Sequence, residues 1–553
     1  MEDPCNPFAL PGHPNHTTGQ KMNDLCTEIL LLVFEELDLP DKLALARVCR
    51  RFNEITMPII YHTLPLERLL GEKTAQEILP GRQENAFTHT QRLLIGGGFK
   101  RDITPDDIKR FLSNSKKLQS VNYIYSPGRG EKPICPWKQI YDMGVYLREG
   151  NAKLYIDNFT PTNPIDEVWK DRGFPPVADI GKSLISLKMG HTHVPRSESS
   201  LQILKKLLLR TPLLEIFHYI DCRGPRVPAR QFNFEEGQRL PPFKDLMLKN
   251  YDWKHNAEEV NLHWDFSRIR SLALLMIPVY KFLQSVPASE LAQLQHLHAE
   301  DYSEPTEHLN PKLATEGLYA LVKKHIKSLQ TLNISCITQY FNIDALLVHA
   351  KSLTKLVFRD HSVSSNSRQH CPVLSAQSLG ILSKSLTLLE SLEIDMDHRT
   401  FPEACLLALC QFSRLHTLVL HTQTVIETDS NHRPGQDPDL TRAYDCFTML
   451  VKKRLGPTKW QRVVINVGGW QARDANPRDG RENSEAYTYY GTCVSQRCFV
   501  LEASASGEMD RIYEEFSPIP LTLFHGNLKT GKRLPSNVET TKEKVHKARG
   551  SSS

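Results

Sequence analysis

Residues 329–334 read LQTLNI, 353–358 read LTKLVF, 389–394 read LESLEI and 415–420 read LHTLVL. Each is one copy of a seven-residue template, apolar-x-x-apolar-x-apolar-x, and copies continue along the chain. Clear ones begin at Leu184, Leu214, Phe243 and Ile269, and weaker ones at Leu118, Asn151, Leu294 and Trp460. From Leu118 to Leu415 is 297 residues in ten steps, a period of about 30, the length of one strand, turn, helix, turn unit. Helical periodicity fills the gaps over 199–209, 316–329, 344–353, 375–386, 402–412 and 441–455. A unit this small cannot bury its apolar face alone, so the copies must stack and share one core.

The pattern is that of a leucine-rich-repeat horseshoe solenoid, an α/β fold, expected over 118–468, with a linker and first repeats over 66–117. A doubly wound α/β enzyme is the competing fold. Its buried parallel strands would be continuous apolar runs, and a phosphate-cradling glycine motif would follow one of them. The strands instead follow the template rule, and no such glycine motif follows any of them: Gly96-Gly97-Gly98 follows Leu93-Leu94-Ile95 but has no Lys-Ser/Thr pair after it. In the repeat, template positions three, five and seven point to solvent on the concave side. These positions place Tyr155, Asp157, Lys188, His218, Met247, Lys249, His296 and His298 there. Lys355, Arg359, Glu393, Asp395 and Arg462 follow. The mixed signs suit a protein substrate better than a uniform polyanion.

Hydrophobic residues make up 40% and charged residues 24% of the 553, the balance of a soluble globular chain. The net charge is +5. From Asn527 to Ser553 there are seven basic residues (Lys529, Lys532, Arg533, Lys542, Lys544, Lys547, Arg549) and two acidic ones (Glu539, Glu543), so the tail carries the whole surplus. That tail, 527–553, is expected to be disordered, as is 1–22. The N-terminus has no basic start followed by an apolar run, and the longest apolar stretch, Leu272–Val279, is far short of the about 20 residues a membrane helix needs. No membrane association is expected, and a cytoplasmic or nuclear location is.

The 12 cysteines include no CxxC pair, so no disulfide framework or zinc site is read from them. His191-x-His193, His361 with His370-Cys371, and Cys493-x4-Cys498 each lack a full ligand set. There is no GxSxG, HExxH or kinase motif. No catalytic residue, metal or cofactor is expected. Insertions at 125–137, 160–182, 222–242, 362–372 and 422–441 are rich in Pro, Gly, Asp and Ser. The third carries Arg223, Arg226, Arg230 and Arg239 and reads either as a grip for an acidic partner or as a solvated loop. Residues 469–526 are expected to cap the solenoid.

Ahead of the repeats, residues 25–64 read LCTEILLLVFEELDLPDKLALARVCRRFNEITMPIIYHTL. Leu25, Ile29, Leu32, Val33 and Leu37 recur at helical spacing, and Leu30, Leu31 and Phe34 add apolar surface on the other side. Asp38 and Pro40 start a second helix. A third runs from Arg51 to Thr56 and ends at Pro58. Three helices in about 40 residues are at the lower limit of independent folding, so a neighbour or partner is expected on the remaining apolar surface.

At Leu25, Thr27-Glu28-Ile29, Phe34, Leu37, Leu39, Val48-Cys49-Arg50-Arg51-Phe52 and Pro58 this segment resembles the F-box, especially its fungal type. The resemblance covers 23–65 and implies a small three-helix module that docks a Skp-type adaptor, and through it a cullin–RING ligase. The residues it points to are Leu25, Ile29, Leu30, Phe34, Leu37, Leu39, Leu45 and Val48, shared between adaptor contact and the module's own core. Cys26 stands where the family usually has proline, which would preset φ at the helix start; the departure implies weaker docking. The expected function is the non-catalytic substrate-recognition subunit of an SCF-type ubiquitin ligase. Two alternatives stay open: an adaptor-bound repeat scaffold without a ligase role, and nucleic-acid binding through the basic tail. The tail offers no aromatic residue for base stacking, which disfavours the second.

Overall fold

The computed structural model describes residues 22, 25–66, 82–96, 105–124, 147, 152–159, 181–189, 198–221, 230–301, 310–360, 373–396, 403–422, 438–467, 497–503 and 511–514. The chain divides into two compact units, Met1–Asn122 and Tyr123–Ser553.

In the first unit, α1 (Thr27–Glu35), α2 (Leu39–Leu45) and α3 (Arg50–His62) are followed by β1 (Thr63–Pro65), α4 (Arg82–His89), β2 (Arg92–Gly96) and α5 (Pro105–Asn114). β1 and β2 are parallel. The Asp38 carboxylate caps α2 by accepting the Asp41 amide at 3.0 Å, and Pro40 lies in the first turn. α3 is longer than expected: it continues through Pro58 to His62. Ile55, Met57 and Tyr61 are buried on both sides of that proline, and their burial outweighs the helix bond it removes. β3 (Ser120–Ile124) carries the chain across the boundary between the units.

The second unit alternates strands and helices. β4 (Lys153–Phe159) and β5 (Leu184–Met189) precede α6 (Glu198–Leu209); β6 (Ile216–Ile220) and β7 (Asp245–Lys249) precede α7 (Ala257–His263). β8 (Ser271–Ile277), α8 (Val279–Ser285), β9 (His296–Asp301), α9 (Asn310–Ala320), β10 (Thr331–Cys336) and α10 (Asp344–Leu347) follow. Then come β11 (Lys355–Asp360), α11 (Ala376–Ser385), β12 (Ser391–Asp395), α12 (Glu403–Cys410), β13 (Thr417–Thr422) and α13 (Pro438–Lys452). β14 (Arg462–Val467), β15 (Arg497–Glu502) and β16 (Arg511–Glu514) end the order. Strand order follows chain order, parallel from β4 to β14 and antiparallel across β14, β15 and β16. A strand therefore stands at every template copy, weak ones included, while the helices near 316–329 and 344–353 are displaced or shorter than expected.

Register explains the template. Leu297, Leu332, Leu356, Leu392, Leu418 and Val463 pair in one column across six strands and are all essentially inaccessible. The first turn of each unit is fixed by its predecessor: the Gln330 carbonyl accepts the Thr354 and Lys355 amides, and the Thr354 carbonyl accepts those of Glu390 and Ser391. At the other strand ends, aspartates hold the preceding unit. Asp301 accepts the Val279 amide at 3.1 Å, Asp360 that of Thr338 at 2.8 Å, and Asp395 that of Asp360 at 2.6 Å. Buried and half-buried amides at these strand ends thus find acceptors that the ladder does not supply.

Candidate functional site

The first unit's three N-terminal helices sort the apolar residues into two sets. Leu30 and Phe34 on α1 pack against Phe52 and Ile55 on α3, with the Phe34 and Phe52 rings edge-on at 5.3 Å. Leu25, Leu31, Leu37, Leu45, Cys49 and Ile59 lie half-buried around them. The Arg51 guanidinium donates to the Leu25 carbonyl at 2.6 Å, and Asn53 donates to the Ala46 carbonyl at 2.8 Å. These bonds tie α3 to the start of α1 and to the end of α2.

Of the residues shared between adaptor contact and the module's own core, Leu30 and Phe34 lie in the core. Ile29, Leu32 and Val33, at i, i+3 and i+4, form the outward stripe of α1, and Leu39 and Val48 are also exposed. Leu32 and Val33 belong to this face although the expected contact set left them out; their helical spacing with Ile29 was the signal. Cys26 caps α1 without a side-chain bond to the helix amides, at φ −66° and ψ 157°. The backbone adopts the φ a proline would impose, so the departure costs no geometry.

In the second unit, most of the charged strand-face residues are already paired. Lys188 lies 3.8 Å from Asp157, His218 3.2 Å from Asp245, and His298 2.9 Å from Glu300. Glu393 meets His421 at 2.8 Å, and Arg462 meets Glu502 at 3.5 Å. Tyr155, Met247, Lys249 and His296 are half-buried and Lys355 is exposed. Asp395 is a correction: it is buried, held by Arg359 at 3.2 Å and by the Asp360 amide. The turn it closes needs an acceptor, so it faces inward. The partners Asp245, Glu300 and His421 sit at template positions three or seven, where the same rule would have found them.

Burial pushes the Asp245 carboxyl up, but His218, Ser271 and Lys188 together leave it below the ordinary carboxylate value. Glu393 behaves alike, with His421 the largest opposing influence. At Asp395 burial prevails over Arg359 and His421, and the carboxyl is raised.

The described part of the third insertion is packed, not a free loop. Phe232 is buried, its amide donates to the Tyr251 hydroxyl at 2.8 Å, and Arg239 donates to the Asn261 carbonyl and lies 3.7 Å from Asp265. The buried Lys205 ammonium donates to the Asn233 carbonyl and sits over the Phe234 ring. Arg223, Arg226, the paired histidines at 191 and 193, His361, His370, Cys371 and Cys493 lie outside the described residues, as do both termini and the other insertions for most of their length. Among the described residues no cluster of three metal-ligating side chains occurs, and no helix is long and apolar enough to cross a membrane.

Compared with protein-family models, residues 22–66 match the F-box-like family. No curated protein matches the chain. The N-terminal segment is thus an F-box-like domain on a chain with a strand sheet and α/β content. F-box domains generally bind Skp-type adaptors in cullin–RING ligases, and proteins that carry them are usually non-catalytic.

Proposed function

We propose that this chain is a substrate receptor of an SCF-type ubiquitin ligase. The observation that carries the proposal is the outward stripe of Ile29, Leu32 and Val33 on a small module whose core is already filled by Leu30, Phe34, Phe52 and Ile55. An exposed apolar stripe on such a module needs a partner to cover it. In this reading a Skp-type adaptor covers it, together with Leu39 and Val48. The strand-and-helix ladder is a leucine-rich-repeat solenoid whose strand face holds a protein substrate, at the positions of Tyr155, Lys188, His218, Lys249, His298, Lys355, Arg359, Glu393 and Arg462. The location is cytoplasmic or nuclear. The chain supplies no nucleophile or base; it raises the effective concentration of a substrate lysine near the charged enzyme.

The test is co-precipitation of the full chain with a Skp-type adaptor. Ile29→Asp combined with Val33→Asp abolishes capture while amide-exchange protection of α1 and α3 stays at the wild-type level. Undiminished capture by that variant refutes the assignment.

A further inference from the structure

Ahead of β10, β11, β12, β13 and β14 stands an exposed cation each time: Lys327, Lys351, Arg414 and Lys459 in the turns, and Lys384 at the end of α11. They stand three to seven residues ahead of strands that pair in parallel register, so all five lie along the same sheet edge. None forms an ion pair with another described residue. Lys324 and Lys453 add to the same edge from the helix ends. Its single exposed acid in these five turns is Glu390. The opposite ends of the strands carry Asp301, Asp360 and Asp395, each bound to a backbone amide. Charge is thus segregated across a sheet whose chain is neutral apart from its tail.

Helix C-termini favour cations, but only within the last turn. That accounts for Lys384, which lies inside α11. It does not account for Lys351 and Arg414, each four residues beyond α10 and α12, or for Lys459, seven beyond α13. Strands about 4.8 Å apart set the five cations along about 19 Å, the length of about six extended residues.

We infer that this edge docks an extended acidic stretch of a protein partner. The cations are in single file, one per strand, so they line one chain and not the two phosphate lines of a duplex. Glu390 interrupts the file between Lys384 and Arg414. A phosphate backbone carries charge at every step and meets that repulsion, whereas a mixed acidic peptide places a neutral residue there. No aromatic side chain in the described part of these turns is exposed to stack on bases. The surface is distinct from the outward stripe of α1 and does not depend on adaptor docking.

The experiment is fluorescence anisotropy with the full chain, without adaptor. The probes are a labelled peptide of alternating Glu and Ser about 12 residues long, twice the row, its Gln-Ser counterpart, and single-stranded DNA of equal length. The row variant carries Lys327→Glu, Lys351→Glu, Lys384→Glu and Arg414→Glu. The control carries the same charge change at Lys109, Lys206, Lys254 and Lys312, exposed elsewhere. The wild type binds the Glu-Ser peptide and not the Gln-Ser one, and salt weakens binding. The row variant binds about tenfold or more weaker, and the control stays within about twofold. If the row variant melts early, the four glutamine substitutions replace it and must show the same selective loss. Equal loss in row and control variants, no binding of the acidic peptide, or tighter binding of DNA overturns the inference.

Discussion

Replacing Phe34 by alanine unfolds the N-terminal module, and replacing its neighbour Val33 does not. Phe34 has no accessible surface, and its neighbours Leu30, Phe52 and Ile55 come from two helices held by the Arg51–Leu25 bond, so the space it leaves cannot close. Truncation of a buried phenylalanine costs about 3–5 kcal/mol, which includes its edge-on contact with Phe52. A module of this size holds only about 2–7 kcal/mol in total. Val33, 40% exposed, loses little, and alanine is the better helix former, so its substitution stays within about 0.5 kcal/mol. Amide exchange read by mass spectrometry resolves the two outcomes: Phe34→Ala loses protection over 27–35 and 50–62, and Val33→Ala keeps it. The reverse result would falsify the assignment of the two faces of α1 and with it the choice of docking stripe.

Four further outcomes follow from single positions. A Cβ on Gly181 would stand 2.0 Å from the Arg210 carbonyl oxygen, a backbone atom that cannot step aside; Gly181→Ala lowers second-unit stability by about 3 kcal/mol or more in urea, whereas Gly380→Ala, with open space inside α11, raises it by about 0.5–1 kcal/mol. His349 is buried, accepts the Leu329 amide at Nδ1 and donates from Nε2 to the Val322 carbonyl, and burial lowers its pKa against the pull of that second bond. The unfolded chain then binds the proton first, so stability is complete above the ordinary value of 6.5 and is lost as pH falls below it; urea melts of His349→Gln show a shallower loss on acidification, and an unchanged slope rejects this. Cys26→Pro stabilises the module by about 0.4–1 kcal/mol, because its φ of −66° already suits proline; a lower melting temperature contradicts it.

The strand positions were legible because a period of about 30 with apolar positions one, four and six leaves one way to stack the copies. The Leu332, Leu356, Leu392 and Leu418 column is that template seen in space. The faces of α1 were not legible. Ile29, Leu32 and Val33 satisfy helical spacing as well as Leu30 and Phe34 do, and only the arrival of Phe52 and Ile55 from α3 decides which side is inside. Pro58 reads as a stop on local rules, and burial on both sides of it overrides them. Asp395 reads as solvent-facing by position, yet the Asp360 amide needs an acceptor there. Local pattern settles which residues alternate; tertiary hydrogen-bond demand settles which of them turn inward.

That demand also bears on what the strand face can bind. Its carboxylates at Asp157, Asp245, Glu300 and Glu393 each have a basic partner within 4 Å. A ligand that takes the basic partner from such a pair must leave an acid partly buried and unpaired. Recognition through these pairs is therefore self-limiting. The same strands offer half-buried apolar side chains at the fifth template position, Met247 and Val419, whose coverage breaks no pair. In the proposed function, a partner docked on this face gains by covering those residues, and the paired charges beside them set which partners are excluded.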